Sequence, residues 1–377
     1  MTNLTRHMRG ALLILLTILI TRCVSIIEFD GANDERELVI YGKLTNSHPY
    51  DQAITVQWSD LNTTAGISVT SATVVVEDDN EQVYPYVYSM EEKKYLPITP
   101  LVGVPGTAYR ARVTMNDETY LSSFQRMPTA GAQDSSYFEF DRIAVISDIG
   151  VEFQRYVVKI FTDSRLDAND ESIYMKWDIE QVYIQQEMSL PASSFPFYSP
   201  RNCYIYDEYL PPELLLFDGD LVNTTTIEKQ QTAEVPLDNS FQRLRGFGII
   251  QSSFSREALE YWQRVNDVSN RVGSIFEIPP APIPGNFSSV SDPDVKALGF
   301  FEVAKMDTSG TFVTEGDLPV RLGFGGDLVD CTNFVPGQFD NVPPNCFPCL
   351  AARGVPEACY NCLVVPNSSL VRPSYLP

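Results

Sequence analysis

The chain has 377 residues, of which 44% are hydrophobic and 20% charged, and its formal net charge is −22 at pH 7. This apolar fraction is too high for a disordered chain, and over this length it predicts a sizeable core shared by two or three domains. A surface this acidic repels nucleic acid, which we exclude as a partner. The 19 tyrosines, 21 phenylalanines and 26 prolines, with few long helical patterns, favour an all-β architecture.

Residues 1–22 have the organisation of a signal peptide. Two arginines precede the apolar run 11–20, which in helical form covers about 15 Å and is too short for the roughly 30 Å of a bilayer core. Cys23 stands where bacterial lipoproteins are cleaved and acylated, so we expect a lipid on Cys23 that holds the protein to a membrane. Because Thr21 and Arg22 replace the usual small residues, an ordinary signal peptide cleaved elsewhere is the alternative.

The chain contains seven cysteines. Acylation of Cys23 would remove the odd one and leave six for pairing. Two Cys-x-x-Cys pairs could bind zinc through four thiolates, and redox chemistry uses the same spacing. An exported chain meets oxidising conditions, so we expect disulfides, no metal and no cofactor. The disulfide candidates are Cys203, Cys331, Cys346, Cys349, Cys359 and Cys362.

Residues 23–37 show no sustained periodicity and are interpreted as a tether between the lipid and the folded body. Short alternating segments, separated by Asn, Asp, Gly and Pro, then predict an immunoglobulin-like β-sandwich over 38–128. Alternation resumes after a joint at 129–135. It predicts a second, larger β domain over 135–330, followed by a cysteine-rich tail, 331–377.

One helix is predicted over 255–272, inside the second domain. Ser255 is placed as its N-cap, and Phe254 and Leu259 have the spacing of a hydrophobic staple across that cap. We expect Trp262 to face the core.

An aromatic segment over 195–209 interrupts the second domain. Its prolines exclude a long central strand. Aromatic rings on such an insertion can bind a sugar, a peptide or a partner protein, or they can simply cover the sheet. The candidate residues for partner or ligand contact are Phe195, Phe197, Tyr198, Tyr204, Tyr206 and Tyr209.

Residue types that carry hydrolytic chemistry are sparse. His48 is the one histidine after the signal peptide, and it lies in a predicted turn. No serine-hydrolase elbow, phosphate-binding loop or dinucleotide motif is present. The acidic stretch 163–171 lacks the glycine and spacing of an EF-hand and is typical of a solvated turn. A glycosidase-like carboxylate pair among the 49 acidic residues is left open.

Several motifs occur in a recognisable order along the chain. They are CVSIIEF from Cys23, ELVIYGKLTN from Glu37, GTAYRARV from Gly106, ALEYW from Ala258, LGFF from Leu298 and CYNC from Cys359. This order resembles the envelope proteins classed as domain of unknown function 4249, and the resemblance covers essentially the whole chain after residue 22. Such proteins usually end in an aromatic pair, where this chain has Tyr375 and Leu376.

The resemblance implies an outer-membrane lipoprotein that accompanies a TonB-dependent transporter, without any established chemistry. Together with the sparse catalytic residues, it predicts a non-enzymatic accessory or ligand-presenting partner of such a transporter. A surface hydrolase of glycans or peptides is the alternative from another class. A purely structural envelope protein is the third possibility.

Overall fold

Strands dominate the computed structural model, which confirms the predicted mainly β class. It describes residues 36–47, 52–59, 66–166, 172–209, 211, 213–270, 282–322, 329, 331 and 342–376. The strands of this part of the chain are β1 (Leu38–Thr45), β2 (Ile54–Trp58), β3 (Ile67–Ser68), β4 (Thr73–Asp78), β5 (Val83–Ser89), β6 (Lys94–Pro97), β7 (Ala108–Met115), β8 (Glu118–Ser122), β9 (Gln125–Arg126), β10 (Ala132–Ile146), β11 (Glu152–Arg165), β12 (Tyr174–Gln186), β13 (Asn202–Glu208), β14 (Leu215–Asp218), β15 (Thr226–Pro236), β16 (Arg245–Phe254), β17 (Pro284–Ser289), β18 (Lys296–Leu298), β19 (Phe301–Val313) and β20 (Ser368–Ser369). Its helices are α1 (Arg256–Ser269) and α2 (Phe347–Ala351), with 3-10 turns at Gly219–Leu221, Asn239–Gln242, Glu315–Asp317, Glu357–Cys359 and Cys362–Val364.

A closed ring of strand pairings surrounds the first hydrophobic core. From β1 it runs through β2, β6, β5, β4, β7, β8, β17 and β18 and returns to β1. Alternation along β7 explains which face is buried, because Ala111 and Val113 enter the core while Arg110 and Arg112 point outward. The late strands β17 and β18 add Phe287 and Ala297 to this core.

Strand β19 joins this ring to the rest of the fold. Its first residues pair in parallel with β1, and residues 305–313 pair antiparallel with β16. β16 in turn pairs with β12, whose other edge carries β13 and β14, and β20 adds to β13. β19 therefore connects the strands around the first core with the strands of the second half of the chain.

A second core lies between two layers of sheet. Strands β10, β11 and β15 form a three-stranded antiparallel layer. Its Val158, Ile160 and Val235 share a buried cluster with Trp177 of β12 and Ile249 of β16. The domain limits 38–128 and 135–330 remain predictions, although the two cores fall mainly on either side of that division.

The predicted helix is confirmed as α1. The Ser255 hydroxyl accepts a hydrogen bond at 3.2 Å from a first-turn amide, as an N-cap does. Phe254 and Leu259 are buried in one cluster. Trp262 packs partly buried against that cluster and donates from its indole nitrogen to Glu302 at 2.5 Å, so α1 is anchored to β19.

Several sequence predictions lie outside the described residues. They include the signal peptide, Cys23, His48 and nearly all of the tether. Within the described ranges, no helix has the length and apolar character needed to cross a membrane.

Candidate functional site: an aromatic groove at the cysteine-rich tail

Three disulfides organise the C-terminal region and pair all six candidate cysteines, in agreement with the expectation from the sequence. The pairs are Cys203–Cys362, Cys331–Cys359 and Cys346–Cys349. The first two are buried and join residues 159 and 28 positions apart, whereas the third is partly exposed and spans three positions. The tail is thus fastened to β13 through the first pair.

A groove of about 680 Å³ lies between this tail and the loop that precedes β13. The loop contributes Phe197 and Tyr198, and the tail contributes Phe347 and Tyr360. The Phe347 ring is central, with its centroid 5.7 Å from Tyr360 in a stacked arrangement and 6.1 Å from Tyr198. We call this site the aromatic groove.

The aromatic groove combines buried rings that hold its floor in place with one ring that is exposed to solvent. Phe195 is 1% exposed and supports Phe347 from below at a centroid distance of 5.1 Å. Phe197 is 91% exposed. A phenylalanine ring left almost wholly in water can gain free energy by covering an apolar ligand surface, so Phe197 marks the open side of the site.

An ion pair joins Arg201 of the groove lining to the buried carboxylate of Glu187. Glu187 is 2% exposed, and Arg201 donates to its two carboxylate oxygens from Nε at 3.0 and 3.1 Å and from Nη2 at 2.6 Å. The amide of Cys362 and the hydroxyl of Tyr198 also donate to Glu187, at 2.9 and 3.2 Å. Burial raises the pKa of Glu187, but the hydrogen bonds from Arg201 and the Cys362 amide outweigh it and lower the pKa overall.

The tyrosine hydroxyls of the groove are held in the protonated state. Burial raises the pKa of Tyr198, and the nearby Glu187 carboxylate raises it further. Burial and Glu357 likewise raise the pKa of Tyr360. Both hydroxyls therefore remain hydrogen-bond donors at neutral pH.

Three of the six predicted contact residues lie away from the groove. Tyr204 and Tyr206 alternate along β13 with buried Cys203 and Ile205, so they lie on its other, half-buried face. Tyr209 packs against the second core, and its hydroxyl accepts a hydrogen bond from a β15 amide at 3.2 Å. A contact role for these three tyrosines remains a prediction.

Phe197 and Tyr198 are the two lining residues that were singled out from the sequence, whereas the tail rings Phe347 and Tyr360 were not. Phe347 and Tyr360 lie inside the two Cys-x-x-Cys pairs, so an interpretation of those pairs as loops that present aromatic rings could have found them. Glu187 and Arg201 stand 14 positions apart in sequence, and no spacing rule links such a pair.

The C-terminal segment docks on the sheet over β16 and β19. The Tyr375 ring lies over Gly248 and Gly310, which face each other in the β16–β19 pairing. A Cβ on Gly248 would approach this ring to 2.6 Å. The Tyr375 hydroxyl donates to Glu180 at 2.6 Å, and Leu376 packs over the neighbouring Gly246.

The acidic stretch 163–171 contains one carboxylate, Asp163, that lies among the described residues and has several hydrogen-bond partners. Asp163 accepts from the Lys229 amide at 2.7 Å and from the Ser135 hydroxyl at 2.9 Å. Positions 167–171 are not among the described residues. Among those that are described, no group of three or more His, Cys, Asp and Glu side chains could hold a metal ion.

A family model described as a domain of unknown function (DUF4249) matches residues 24–309. The match covers well over half of the chain, and it agrees with the resemblance seen in the order of the motifs. The matched range includes the loop side of the aromatic groove and stops before the tail side. No curated protein matches the chain.

Proposed function

The chain belongs to the domain of unknown function 4249 family, and from this premise we propose that it is a non-enzymatic binding protein of the cell envelope, whose aromatic groove holds a ligand or a partner segment. The observation that carries this proposal is the exposed Phe197 ring, set against Tyr198, Phe347 and Tyr360 on a disulfide-fastened base. Small-molecule sites are typically concave, largely apolar and furnished with a few placed polar groups.

The protein accompanies a TonB-dependent outer-membrane transporter, and a lipid on Cys23 holds it at the membrane. The support for this part is the arrangement of charged residues, apolar run and cysteine in residues 1–23, together with the resemblance to envelope lipoproteins. A groove on a rigid β body near the membrane suits ligand presentation better than ligand transport.

Binding is favoured over hydrolysis because the described part of the groove does not present a pair of carboxyl groups suited to catalysis. Glu187 is occupied by Arg201 and its pKa is lowered, which is the opposite of what a general acid requires. Among the described residues, Glu357 is the carboxylate that lines the groove, and Glu187 is not part of the lining. Glycosidases need two carboxyl groups, one of them with a raised pKa, on either side of the scissile bond.

The test is affinity purification of the tagged full-length protein from detergent-solubilised membranes. We expect an outer-membrane barrel protein to co-purify, and Phe197→Ala to reduce its yield or the retained ligand, because truncating a buried aromatic anchor costs about 2 kcal/mol or more, roughly thirtyfold in affinity. Phe124→Ala, which removes a 46% exposed ring of the first half of the chain, is the matched control.

Cys23→Ala in the same experiment should release the protein from the membrane fraction. Recovery of the wild type without any barrel protein, combined with cleavage of a glycan or peptide by the purified chain, would favour the hydrolase instead.

A further inference from the structure

The aromatic groove is built from irregular segments and not from strands. Its described lining lies in the loop 197–201, in the turn and short helix at 345–347, and in the 3-10 and turn residues 357–361. Extended peptides usually bind by adding a strand to a free sheet edge, where main-chain hydrogen bonds supply much of the affinity. The groove offers no such edge among these segments, so recognition must come from side chains.

The polar side chains around the rings are planar groups with several hydrogen-bonding atoms. Arg201 uses Nε and Nη2 for Glu187 and Asn361, which leaves Nη1 available. Asn345 brings an amide to the lining, whereas the amide of Asn361 accepts from Arg201 at 3.2 Å and donates to Glu357 at 3.4 Å. A guanidinium places several donors in one plane, and a side-chain amide places a donor beside an acceptor, a geometry that suits pairs of neighbouring hydroxyl groups.

The charge of the groove selects against anions. Arg201 is paired with the buried Glu187, so its positive charge is neutralised locally. Glu357 adds a negative charge at the lining, and the chain as a whole carries −22. An anionic ligand would therefore be repelled, while a neutral ligand would meet no electrostatic penalty.

We propose that the aromatic groove binds a neutral saccharide, with sugar faces stacked on Phe197 and the Phe347 ring and hydroxyl groups bonded to Arg201 and Asn345. This inference rests on the proposed binding function and names its ligand class. The groove volume of about 680 Å³ lies within the range of small-molecule sites. Ring stacking supplies affinity, and the planar polar groups fix the orientation of the sugar.

The test is calorimetric titration of the full-length protein with maltohexaose, cellohexaose, xylohexaose and mannohexaose. Hexagalacturonate is the anionic comparator, and an unstructured hexapeptide is the peptide comparator. We expect at least one neutral saccharide to bind with one-to-one stoichiometry and more tightly than either comparator. Phe197→Ala should weaken that binding roughly tenfold or more, whereas Phe124→Ala should leave it unchanged.

Phe197 is exposed, so its replacement leaves the core intact, and urea unfolding of the variant checks that the fold is retained. Absence of binding by all four neutral saccharides, tighter binding of hexagalacturonate or equal affinity of Phe197→Ala would overturn the inference. If the wild type bound the peptide and none of the saccharides, and Phe197→Ala lost this binding, the saccharide inference would be wrong. The proposed binding function would still hold. Failure of the transporter to co-purify concerns only the proposed function.

Discussion

Replacement of Glu187 by glutamine tests the ion pair that joins this buried residue to Arg201 of the aromatic groove. Glutamine keeps the shape of the side chain, but one carboxylate oxygen becomes an NH2 group that must face donors. In the native protein those donors are Arg201, the Cys362 amide and the Tyr198 hydroxyl. The variant therefore loses charge-assisted hydrogen bonds and places two donors against each other.

The expected cost follows from the burial of Glu187, which is one partner of the pair. Removing one partner of a buried, hydrogen-bonded ion pair costs about 3–5 kcal/mol. The Arg201 side chain is 39% exposed and can be solvated in the variant, so we expect about 3 kcal/mol for Glu187→Gln. Glu357→Gln removes the same charge from an exposed residue and should change the free energy of unfolding by no more than about 0.5 kcal/mol.

Urea unfolding of both variants at several pH values is the assay. A carboxylate with a lowered pKa stabilises the folded state above its unfolded pKa of about 4.3, and this stabilisation disappears as pH falls through the lower folded pKa. The difference between wild type and Glu187→Gln should therefore be constant from neutral pH to about pH 5 and shrink below about pH 4. A loss under 1 kcal/mol at neutral pH, or a loss that does not change with pH, would refute the reasoning.

Three further changes test the tail, the disulfides and the helix cap. Gly248→Ala places a Cβ 2.6 Å from the Tyr375 ring and should destabilise the fold by about 1–3 kcal/mol in urea unfolding, unless Tyr375→Ala is present to relieve the overlap. Removing the Cys331–Cys359 disulfide with two serines should lower the free energy of unfolding by roughly 3.5 kcal/mol, and removing Cys346–Cys349 by roughly 1.5 kcal/mol. The difference arises because the chain-entropy contribution of a disulfide grows with the length of the loop that it closes, so equal losses would contradict the prediction. Ser255→Ala should cost about 1 kcal/mol or more of unfolding free energy, because it removes both the N-cap bond and the bond from the hydroxyl to Gln125. Ser255→Asp should restore only the N-cap part, since a carboxylate cannot donate to Gln125.

Local features of the fold were predictable because their causes are local. The cap at Ser255 depends on a hydroxyl and an amide three residues apart, and the buried face of β7 follows from alternation. The parallel pairing of β1 with β19 joins residues more than 250 positions apart. The register between β1 and β19 depends on the packing of both cores, so a short sequence pattern in either strand cannot predict it.

The aromatic groove was half predictable for a related reason. Phe197 and Tyr198 were recognisable because they form part of a cluster of rings among prolines. Phe347 and Tyr360 reach the same place only through the disulfide pairing of the tail, and six cysteines allow fifteen connectivities that sequence cannot separate. The groove therefore depends on covalent links whose partners become known only in three dimensions.

The disulfides have a clear physical role in such a site. A groove made of loops and single helical turns lacks the ladder of hydrogen bonds that fixes strands, and its own cluster of buried residues, centred on Phe195 and Leu350, is small. The links Cys203–Cys362 and Cys331–Cys359 restrict the unfolded chain over 159 and 28 positions, worth roughly 5 and 3.5 kcal/mol in the chain-entropy model. Each of these free energies offsets the entropy cost of ordering only a few residues. The two disulfides alone therefore cannot order the whole groove, and the Glu187–Arg201 ion pair stabilises it further. A binding surface held in this way can present an exposed ring such as Phe197 without unfolding around it, and this preorganisation is what limits the entropy lost when a ligand binds.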